Sequence, residues 1–408
     1  MKQRTLIAFC PLLLVFLLAL RSFTAGDDCA FVGGTVYPSP TTAIPNAVVL
    51  TSLGKITAVG TRAAVKIPAG LEKHMQEMLT RWGFTTVWDL GSDPINSLAL
   101  RRRVESGEIP GPRIFLAGSE FPKGGHPVYL PPEMQLPEVA SPAEAAQLAQ
   151  NYMRMGLEGI KLFTGSFMGN KPVINMDIPI VEAAVNVAHG DNKPVFAHPQ
   201  NRTGVDNAMA GRVDILAHTV PSERDFTAEE LARFKTQHTA LIPTLTLWTT
   251  VVQDPVVTSG LVASGVQQLR TFSANGGAVL FGTDVGFTAN YDTSLEFELM
   301  SRALSVNEIL ASLTTNPAAY FKAFDKGRVE KGLDADLVIL DGDPASDMHN
   351  LAKGFSLTRS RGKFLAARSL PQLDIWLQLL HHLRELPQLQ RLRSVADRFF
   401  WRGVRLDD

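Results

Sequence analysis

Cysteine is nearly absent from this sequence, which contains only Cys10 and Cys29. Cys10 lies inside an apolar run near the N-terminus that is typical of a secretory signal, and removal of that run would leave Cys29 alone. A disulfide framework and a cysteine-ligated metal site within one chain are therefore excluded. Any bound metal must be held by histidine, aspartate, glutamate or a modified lysine.

An excess of charge of either sign is also missing. The 408 residues carry 39 Lys and Arg against 40 Asp and Glu, a formal net charge of −1. No global field attracts nucleic acid or an anionic membrane, so a small-molecule substrate is expected and a nucleic-acid partner is not. Hydrophobic residues make up 45% of the chain, which argues against disorder and predicts one large core with a smaller module.

The first 25 residues predict a signal peptide and hence a secreted or periplasmic protein. Lys2 and Arg4 precede the apolar run LIAFCPLLLVFLLAL, and the small residues of TAG follow. Cleavage after Ala25 is disfavoured by Phe23, which occupies a position that prefers a small residue. An uncleaved anchor is the alternative, and a membrane partner is expected only in that case.

Strand-like runs follow in two patterns: short runs that predict an antiparallel sheet, and then runs that alternate with helices. FVGGTVYP, AVVLTSL and KITAVG predict a small antiparallel sheet within residues 26–70. From residue 85 onward, seven apolar runs alternate with helical patterns, and they are TTVWDLG, RIFLAG, GIKLF, PVFAH, DILAH, ALIPTL and VLFGTD. Such runs predict parallel strands buried on both faces, in a doubly wound sheet or in a barrel. Capping-box patterns at Ser141, Thr227 and Ser305 predict where three of the helices begin.

The positions of the polar residues favour the barrel. Lys161, His198, His218 and Asp284 each lie at or near the C-terminal end of a different predicted strand, where (β/α)8 barrels build their active sites. A doubly wound sheet would gather its ligands at one switch point. A glycine-rich phosphate fingerprint after the first strand is absent, which also weakens the nucleotide-binding interpretation.

These four residues suit metal chemistry, although each has a simpler structural interpretation. A histidine after a buried strand is often only a core residue, but His198 and His218 end successive strands, and both imidazoles should reach one mouth. Lys161 in GIKLF would be costly to bury as an ammonium, so it either extends to the rim, pairs with Asp284, or is carboxylated. Asp284 can ligate a metal and move a proton, or it can simply form a turn.

The sequence resembles the amidohydrolase superfamily, in particular its imidazolonepropionase-like and prolidase-like branch. The ordered motifs GIKLF, VFAHP, ILAHT and LFGTD carry the likeness, together with GFTTVWDLG, SGEIPGPRIFLAG, GGHPVYLP, LTTNPAAYF and GLDADLVILDGDP. The resemblance implies a (β/α)8 TIM-type barrel over residues 71–325, with a small β-sandwich built from residues 26–70 and 326–368. It also implies hydrolysis of amide, peptide or cyclic amide bonds by a metal-bound hydroxide.

The resemblance assigns roles to individual residues. Lys161 becomes a carboxylated lysine that bridges two metals, His198 and His218 become ligands of the second metal, and Asp284 becomes a ligand and proton shuttle. His126 in GGHP matches a recurring segment and is given a substrate-side role. The expected cofactor is a divalent metal, with zinc preferred over manganese, iron or cobalt.

One motif of the family is missing. Its members begin the barrel with a strand ending in His-x-His, and this sequence has no His-x-His. The expected strand would lie at a junction near residues 69–72, so the barrel is predicted to be one strand short and to hold one metal rather than two. His74, just after the junction, is interpreted as a solvated helix residue. The alternatives are a non-catalytic barrel relic or binding module, and a truncated gene product of a binuclear hydrolase.

The C-terminal tail, residues 369–408, has its own composition. Residues 354–408 contain ten Lys and Arg against five Asp and Glu, and LDIWLQLLHHLREL has apolar residues at helical spacing. A basic amphipathic helix that packs on the body or on a second subunit is preferred over membrane binding. Association with a second copy of this chain, as a homo-oligomer, is therefore one expectation.

Overall fold

The structure of the protein is a computed structural model. The structure describes residues 29–32, 36–39, 42–44, 47–52, 55–61, 82–106, 108–109, 111–126, 135–169, 171–220, 225–252, 254–288, 291–328, 334, 336–340, 344, 346–353, 355–360 and 363–366. The chain divides into two compact units, Met1–Gln76 and Glu77–Asp408. The predicted signal peptide, the junction with His74 and the basic tail lie outside the described residues.

The described residues of the first unit form five short strands, which are β1 (Cys29–Val32), β2 (Val36–Ser39), β3 (Thr42–Ile44), β4 (Ala47–Ser52) and β5 (Lys55–Thr61). Strand β4 pairs antiparallel with both β1 and β5, and β2 pairs antiparallel with β3. The small antiparallel sheet predicted from the sequence is confirmed. The domain boundaries of the chain stay predictions.

The second unit is built on a parallel sheet. Its strands are β6 (Thr86–Asp89), β7 (Arg113–Pro122), β8 (Glu138–Val139), β9 (Gly159–Leu162), β10 (Gly165–Ser166), β11 (Ile174–Asn175), β12 (Val195–Ala197), β13 (Ile215–Ala217), β14 (Ala240–Ile242) and β15 (Ala278–Val279). Seven of them form a parallel sheet in the order β6-β7-β9-β12-β13-β14-β15, and β8 is added beside β7. The seven are the strands that the sequence predicts. Because their spatial order equals their chain order, the sheet has no switch point, and its topology is that of a TIM-type barrel.

Helices separate these strands. They are α1 (Pro94–Ser106), α2 (Pro142–Met155), α3 (Ile178–Gly190), α4 (Arg202–Ala210), α5 (Ala228–Gln237), α6 (Pro255–Ala274), α7 (Ser294–Ser301), α8 (Val306–Leu313), α9 (Thr315–Tyr320), α10 (Asn350–Lys353) and a 3₁₀ helix at Leu245–Thr249.

The three predicted capping boxes are not equivalent. Thr227 and Ser305 form complete boxes at the starts of α5 and α8. Ser141 accepts from the backbone amide of Glu144, but the carboxylate of Glu144 accepts from the amide of Ala140 instead of returning to Ser141. The box at α2 is therefore half formed, because the chain before the helix presents a different amide.

Apolar side chains from the strands fill the interior of the sheet. Ala117, Phe196, Ile215, Ala240 and Leu280 form its buried cluster, and the partly buried Trp88 packs against it. The segment at the end of α9 packs on the same cluster through Tyr320 and Phe321. The hydroxyl of Tyr320 donates to the carbonyl of Asp214 at 2.6 Å, just before β13, so this segment covers the N-terminal end of the barrel.

The first and last strands of the sheet approach one another. Phe84, two residues before β6, stacks on Phe281, two residues after β15, with ring centroids 5.6 Å apart. Phe281 also stacks on Phe297 of α7 at 5.0 Å. The sheet is thus curled until its two ends make side-chain contact, although no strand is described between Thr61 and Thr86. The stack of Phe84 on Phe281 therefore joins the two sides of the predicted gap.

A second antiparallel sheet follows the barrel, with strands β16 (Leu337–Leu340), β17 (Phe355–Ser360) and β18 (Lys363–Ala366). Arg113 at the start of β7 pairs with Asp334 at 3.2 Å and with Asp336 at 2.9 Å. These ion pairs tie the chain before β16 to the barrel. Whether this sheet and the N-terminal one form the expected sandwich stays a prediction. Within the described residues, every helix is too short or too polar to cross a membrane.

Candidate active site

The strand ends bring three of the predicted ligands to one edge of the sheet. Lys161 lies within β9, His198 directly follows β12, and His218 directly follows β13. The amide of His198 donates to the carbonyl of Leu162 at 2.8 Å, and the amide of His218 donates to the carbonyl of Ile242 at 2.8 Å. Both histidines therefore extend the parallel ladder by one bond beyond their strands. Their positions are fixed by the sheet rather than by a loop.

The two imidazoles face one another. Their ring centroids are 4.8 Å apart with an interplanar angle of 72°. His198 is 9% exposed and His218 is 4% exposed, so the pair is shielded from bulk water. The convergence that the strand spacing predicts is present in the structure.

Each imidazole has one nitrogen engaged by a neutral partner. Nε2 of His198 lies 3.0 Å from Oε1 of Gln200, and Nδ1 of His218 lies 2.6 Å from Oγ1 of Thr244. Phe163 stacks on the ring of His198 with centroids 4.9 Å apart. These contacts restrict the rotation of both rings, as the partners of metal-binding histidines usually do.

Positive backbone φ angles cluster at this mouth. The values are +54° at Gln200, +90° at His218, +46° at Thr244 and +57° at Asp284. Such a conformation is rare for residues other than glycine, and for the β-branched Thr244 it is a genuine outlier. Each strained residue costs about 1–3 kcal/mol and persists only where its surroundings hold it in place. The turns after β12, β13, β14 and β15 are therefore built to aim particular side chains.

Burial dominates the electrostatics of the basic groups. It lowers the pKa of Lys161 to about 8, and the nearby charge of Asp284 partly opposes that shift. Burial and the charge of Lys161 lower the pKa of His198 to about 3. The pKa of His218 lies well below its usual value, because of burial first and then of the charges on His198 and Lys161. Both imidazoles are consequently neutral at pH 7, the form that binds metals.

The charges of Lys161 and Asp284 interact across the site. Burial raises the pKa of the Asp284 carboxyl, and the charge of Lys161 opposes the rise. Lys161 is only 4% exposed, and its ammonium lies 5.5 Å from the centre of the Phe163 ring, so it does not extend to the rim. A buried lysine with a pKa near 8 has a substantial neutral fraction at physiological pH.

The residues at the mouth provide a partial donor set for a metal. Two neutral imidazoles and a carboxylate are donors that divalent zinc accepts. Within the described part of the chain, no group of three or more His, Cys, Asp or Glu is arranged to hold a metal ion. His198 and His218 fit one divalent cation if Lys161 supplies an oxygen as its carboxylated form, because this adds a third protein ligand to the two imidazoles.

His126 lies away from this group. Its ring packs on Phe121 at 5.5 Å, Phe121 stacks on Phe163 at 3.8 Å, and Phe163 stacks on His198. Two phenylalanine rings therefore separate His126 from His198. Nε2 of His126 is buried and makes no hydrogen bond within the described structure. Its predicted substrate-side role stays a prediction.

The sequence analysis missed four polar residues around the site: Gln200, Thr244, Glu120 and Glu296. Thr244 follows its predicted strand as His198 and His218 follow theirs, so its position was a usable signal. Glu296 gives a weaker signal as an acidic residue among the apolar positions of SLEFELM. Glu120 and Glu296 are both 0% exposed. Glu296 bonds to amides some fifty residues away, and the carboxylate of Glu120 makes no hydrogen bond within the described structure; no local pattern reveals either property.

Comparison with known proteins adds a family. The sequence profile described as "Amidohydrolase family" matches residues 66–360. No protein of curated function matches the chain.

Solved structures match over most of the chain. A Bifidobacterium longum protein described as a prolidase has a TM-score of 0.63 at 22% identity, covering 88% of this chain and 100% of its own. An ochratoxinase from A. niger has a TM-score of 0.61 at 17% identity, covering 83% and 96%. A molinate hydrolase has a TM-score of 0.61 at 18% identity, covering 86% and 97%. At these identities the likeness shows the barrel fold.

Proposed function

The chain belongs to the amidohydrolase family, and on that premise we propose that it is a metal-dependent hydrolase of carbon–nitrogen bonds in small molecules. The observation that carries the proposal is the convergence of His198 and His218, neutral and 4.8 Å apart, beside Lys161. One nitrogen of each buried imidazole has a polar partner, which leaves the other nitrogen available as a ligand, as is common in metal sites.

His198, His218 and a carboxylated Lys161 would hold one divalent ion, with zinc preferred. When bound, such an ion polarises a carbonyl group and lowers the pKa of water towards about 7. Carbon dioxide adds to the neutral amine of Lys161, an N–C bond forms and a proton leaves. The lowered pKa of Lys161 supports this reaction, because it raises the neutral fraction.

Asp284 would move the proton. Its carboxylate accepts a proton from the attacking water and donates it to the nitrogen that leaves. Burial raises the pKa of this carboxyl, which brings it nearer to neutral pH and so nearer to the value at which a group can both accept and donate. Amides, Xaa-Pro peptides and cyclic amides are the candidate substrates. The prolidase and hydrolase neighbours support that class without selecting one member of it.

Metal analysis and activity together test the proposal. Protein purified without chelator should contain one divalent metal per chain and hydrolyse members of a panel of Xaa-Pro dipeptides, lactams and lactones. His218→Ala and Lys161→Ala should lower both metal content and turnover. Asp284→Asn should lower kcat by about 10²- to 10⁴-fold. His349→Ala is the matched control, because His349 is exposed and its imidazole pairs with the nearby Asp347, away from the candidate ligands. Less than one metal per chain with no turnover would reject the proposal.

A binding module without catalysis is the second candidate. It is favoured by the lack, within the described residues, of any three-residue cluster of His, Cys, Asp or Glu around a metal position. A truncated product of a binuclear hydrolase is a related explanation. Restoring a strand with His-x-His near residue 70 separates the two: gain of turnover indicates a missing piece, and no gain indicates a relic.

We also propose export as a secreted or periplasmic protein, directed by residues 1–25. Fusion of these residues to a reporter that is active only outside the cytoplasm tests this. An inactive fusion would contradict the proposal, and N-terminal sequencing of the exported product would show whether the segment is removed.

A further inference from the structure

The 3₁₀ helix at Leu245–Thr249 begins beside His218 and has no capping side chain of its own. Its first two amides, those of Leu245 and Thr246, instead donate to the carboxylate of Glu296 at 2.9 and 2.7 Å. Glu296 lies near the start of α7, some fifty residues along the chain, and is fully buried. Amides at the start of a helix lack intrahelical partners, so this carboxylate satisfies two groups that would otherwise be orphaned.

Thr244 immediately precedes that helix. Its φ of +46° is unfavourable for a β-branched residue and requires support from its surroundings. Fixing the next two amides supplies that support, because the bonds to Glu296 determine the direction of the backbone after Thr244. A second bond ties the same helix to the segment after β13, since Nε1 of Trp248 donates to Oγ1 of Thr219, the residue after His218, at 2.9 Å.

The hydroxyl of Thr244 is the last link to His218. Oγ1 donates its hydrogen to the carbonyl of Pro243 at 2.8 Å and lies 2.6 Å from Nδ1 of His218. A carbonyl can only accept, and a hydroxyl has one hydrogen. Because that hydrogen is directed at Pro243, the contact with His218 is made by an Nδ1–H group that donates to the hydroxyl. The neutral ring then has an unprotonated Nε2.

We propose that Glu296 and Thr244 are positioning residues for His218, which fix its ring as the Nδ1–H tautomer and leave the electron pair of Nε2 available as a ligand. Use of that electron pair by a metal rests on the proposed function. The tautomer does not, because it follows from the hydrogen bonds of the protein alone. Glu296 acts indirectly. Its bonds to the amides of Leu245 and Thr246 fix the turn, the turn fixes the backbone of Thr244, and the hydroxyl of Thr244 orients the ring of His218.

The tautomer is tested by nitrogen NMR of full-length, metal-free protein labelled with ¹⁵N-histidine, with His218→Gln used to assign the resonance. The wild-type protein should show protonated Nδ1 and unprotonated Nε2 at His218. Thr244→Val, which keeps the shape and removes the hydroxyl, should produce a mixture of tautomers, and Thr244→Ser should restore one. Protonated Nε2 in the wild-type protein would overturn the proposal, as would a spectrum that Thr244→Val leaves unchanged.

Metal affinity gives the second readout. Cobalt(II) titration, followed by visible absorption, should show binding about 10- to 100-fold weaker in Thr244→Val and in Glu296→Gln than in the wild-type protein. Thr244→Ser should bind within a few-fold of wild type. Glu298→Gln is the matched control on the same helix, since Glu298 is exposed and pairs with Arg302. Equal affinity in Thr244→Val and wild type would overturn the positioning role.

The two proposals can fail separately. If wild-type protein binds no cobalt but shows the Nδ1–H tautomer that Thr244→Val removes, the positioning chain stands and the metal-dependent function falls. If cobalt binds and the tautomer is the other one, the function stands and the positioning chain falls. If Glu296→Gln does not fold, the two Thr244 variants still decide the matter.

Discussion

Among the described residues of the barrel unit, Glu120 and Glu296 are both completely buried, and they differ in what surrounds them. Glu296 accepts hydrogen bonds from two backbone amides. Glu120, near the end of β7, has no hydrogen-bond partner for either carboxylate oxygen within the described structure. Burial raises the pKa of both, to about 7 for Glu296 and well above the usual value for Glu120. The comparison separates a buried carboxyl group that binds backbone amides from one that makes no hydrogen bond within the described structure.

The difference between the two glutamates corresponds to their positions around the barrel mouth. Around β13 and β14, His218, Thr244 and Glu296 form a connected chain of hydrogen bonds. Around β7, both Glu120 and Nε2 of His126 are left without partners in the described part of the chain. Satisfied polar networks rigidify a structure, whereas unsatisfied buried groups are costly. We therefore expect the β13–β14 side to be the fixed part of the site.

The largest effect should come from removing the partnered glutamate. Glu296→Ala would leave two buried amides unsatisfied, and it should lower the free energy of unfolding by about 2–5 kcal/mol. Urea unfolding at pH 7 measures it. Glu298→Ala on the same helix is the control and should change stability by less than about 0.5 kcal/mol, since its ion pair with Arg302 is exposed. Equal losses of unfolding free energy in Glu296→Ala and Glu298→Ala would mean that the buried carboxylate contributes no more than the exposed one.

Removing the unpartnered glutamate should have the opposite sign. Glu120→Met replaces an unsatisfied acid by an apolar side chain of similar length, and it should raise the free energy of unfolding by about 1–3 kcal/mol. Thermal and urea unfolding both report it. A loss of stability would mean that the carboxyl group of Glu120 makes a favourable contact in the folded protein.

The pH dependence of stability should separate the two residues further. A carboxyl group whose folded pKa is raised binds protons more tightly in the folded state, so its contribution is favourable at low pH. That contribution is lost as pH rises from about 4.5 to the folded pKa, at most by about 1.4 kcal/mol per pH unit. The stability difference between wild type and Glu296→Gln should therefore stop changing above about pH 7.

For Glu120→Gln, the difference in the free energy of unfolding between wild type and variant should begin to change above about pH 4.5. It should continue to change until the pH passes the raised pKa of Glu120. Urea unfolding at intervals from pH 4.5 to 8 measures both series. Using differences from wild type removes the shared contributions of Lys161, His198 and His218. Differences that do not vary with pH would mean that neither carboxyl group has a raised pKa.

The smallest effect should come from Tyr152, whose hydroxyl donates to the carbonyl of Ser119 at 2.8 Å, one residue before Glu120. Tyr152→Phe should destabilise by about 0.5–1.5 kcal/mol. Because the hydroxyl is directed at Ser119 and not at Glu120, the double variant with Glu120→Met should be additive within about 0.5 kcal/mol. Coupling above about 1 kcal/mol would show that Tyr152 does stabilise Glu120.

The sequence predicted the features of this protein that arise from neighbouring residues. Apolar runs such as GIKLF and DILAH identified the seven parallel strands, and the caps at Thr227 and Ser305 identified helix starts. The convergence of His198 and His218 was also predictable, since successive parallel strands end at one edge. Each of these predictions uses only residues that lie within one strand, one turn or one repeat of the βα unit.

Contacts between distant elements were not predictable. The bonds from Leu245 and Thr246 to Glu296 join a turn to a helix some fifty residues later. The capping box at Ser141 is only half formed for a related reason, because the carboxylate of Glu144 accepts from the amide of Ala140 instead of from that of Ser141. Periodicity and motifs describe which face a residue occupies, but they do not say which of several nearby donors it will choose.

The stack of Phe84 on Phe281 has a consequence for how the chain reaches its native state. It joins positions about 200 residues apart, so the contact can form only after nearly the whole barrel has been synthesised. Until then β6 and β15 are unprotected ends of a growing sheet, able to pair with other chains. We therefore expect aggregation of the newly made chain to increase with its concentration until Phe84 and Phe281 are in contact.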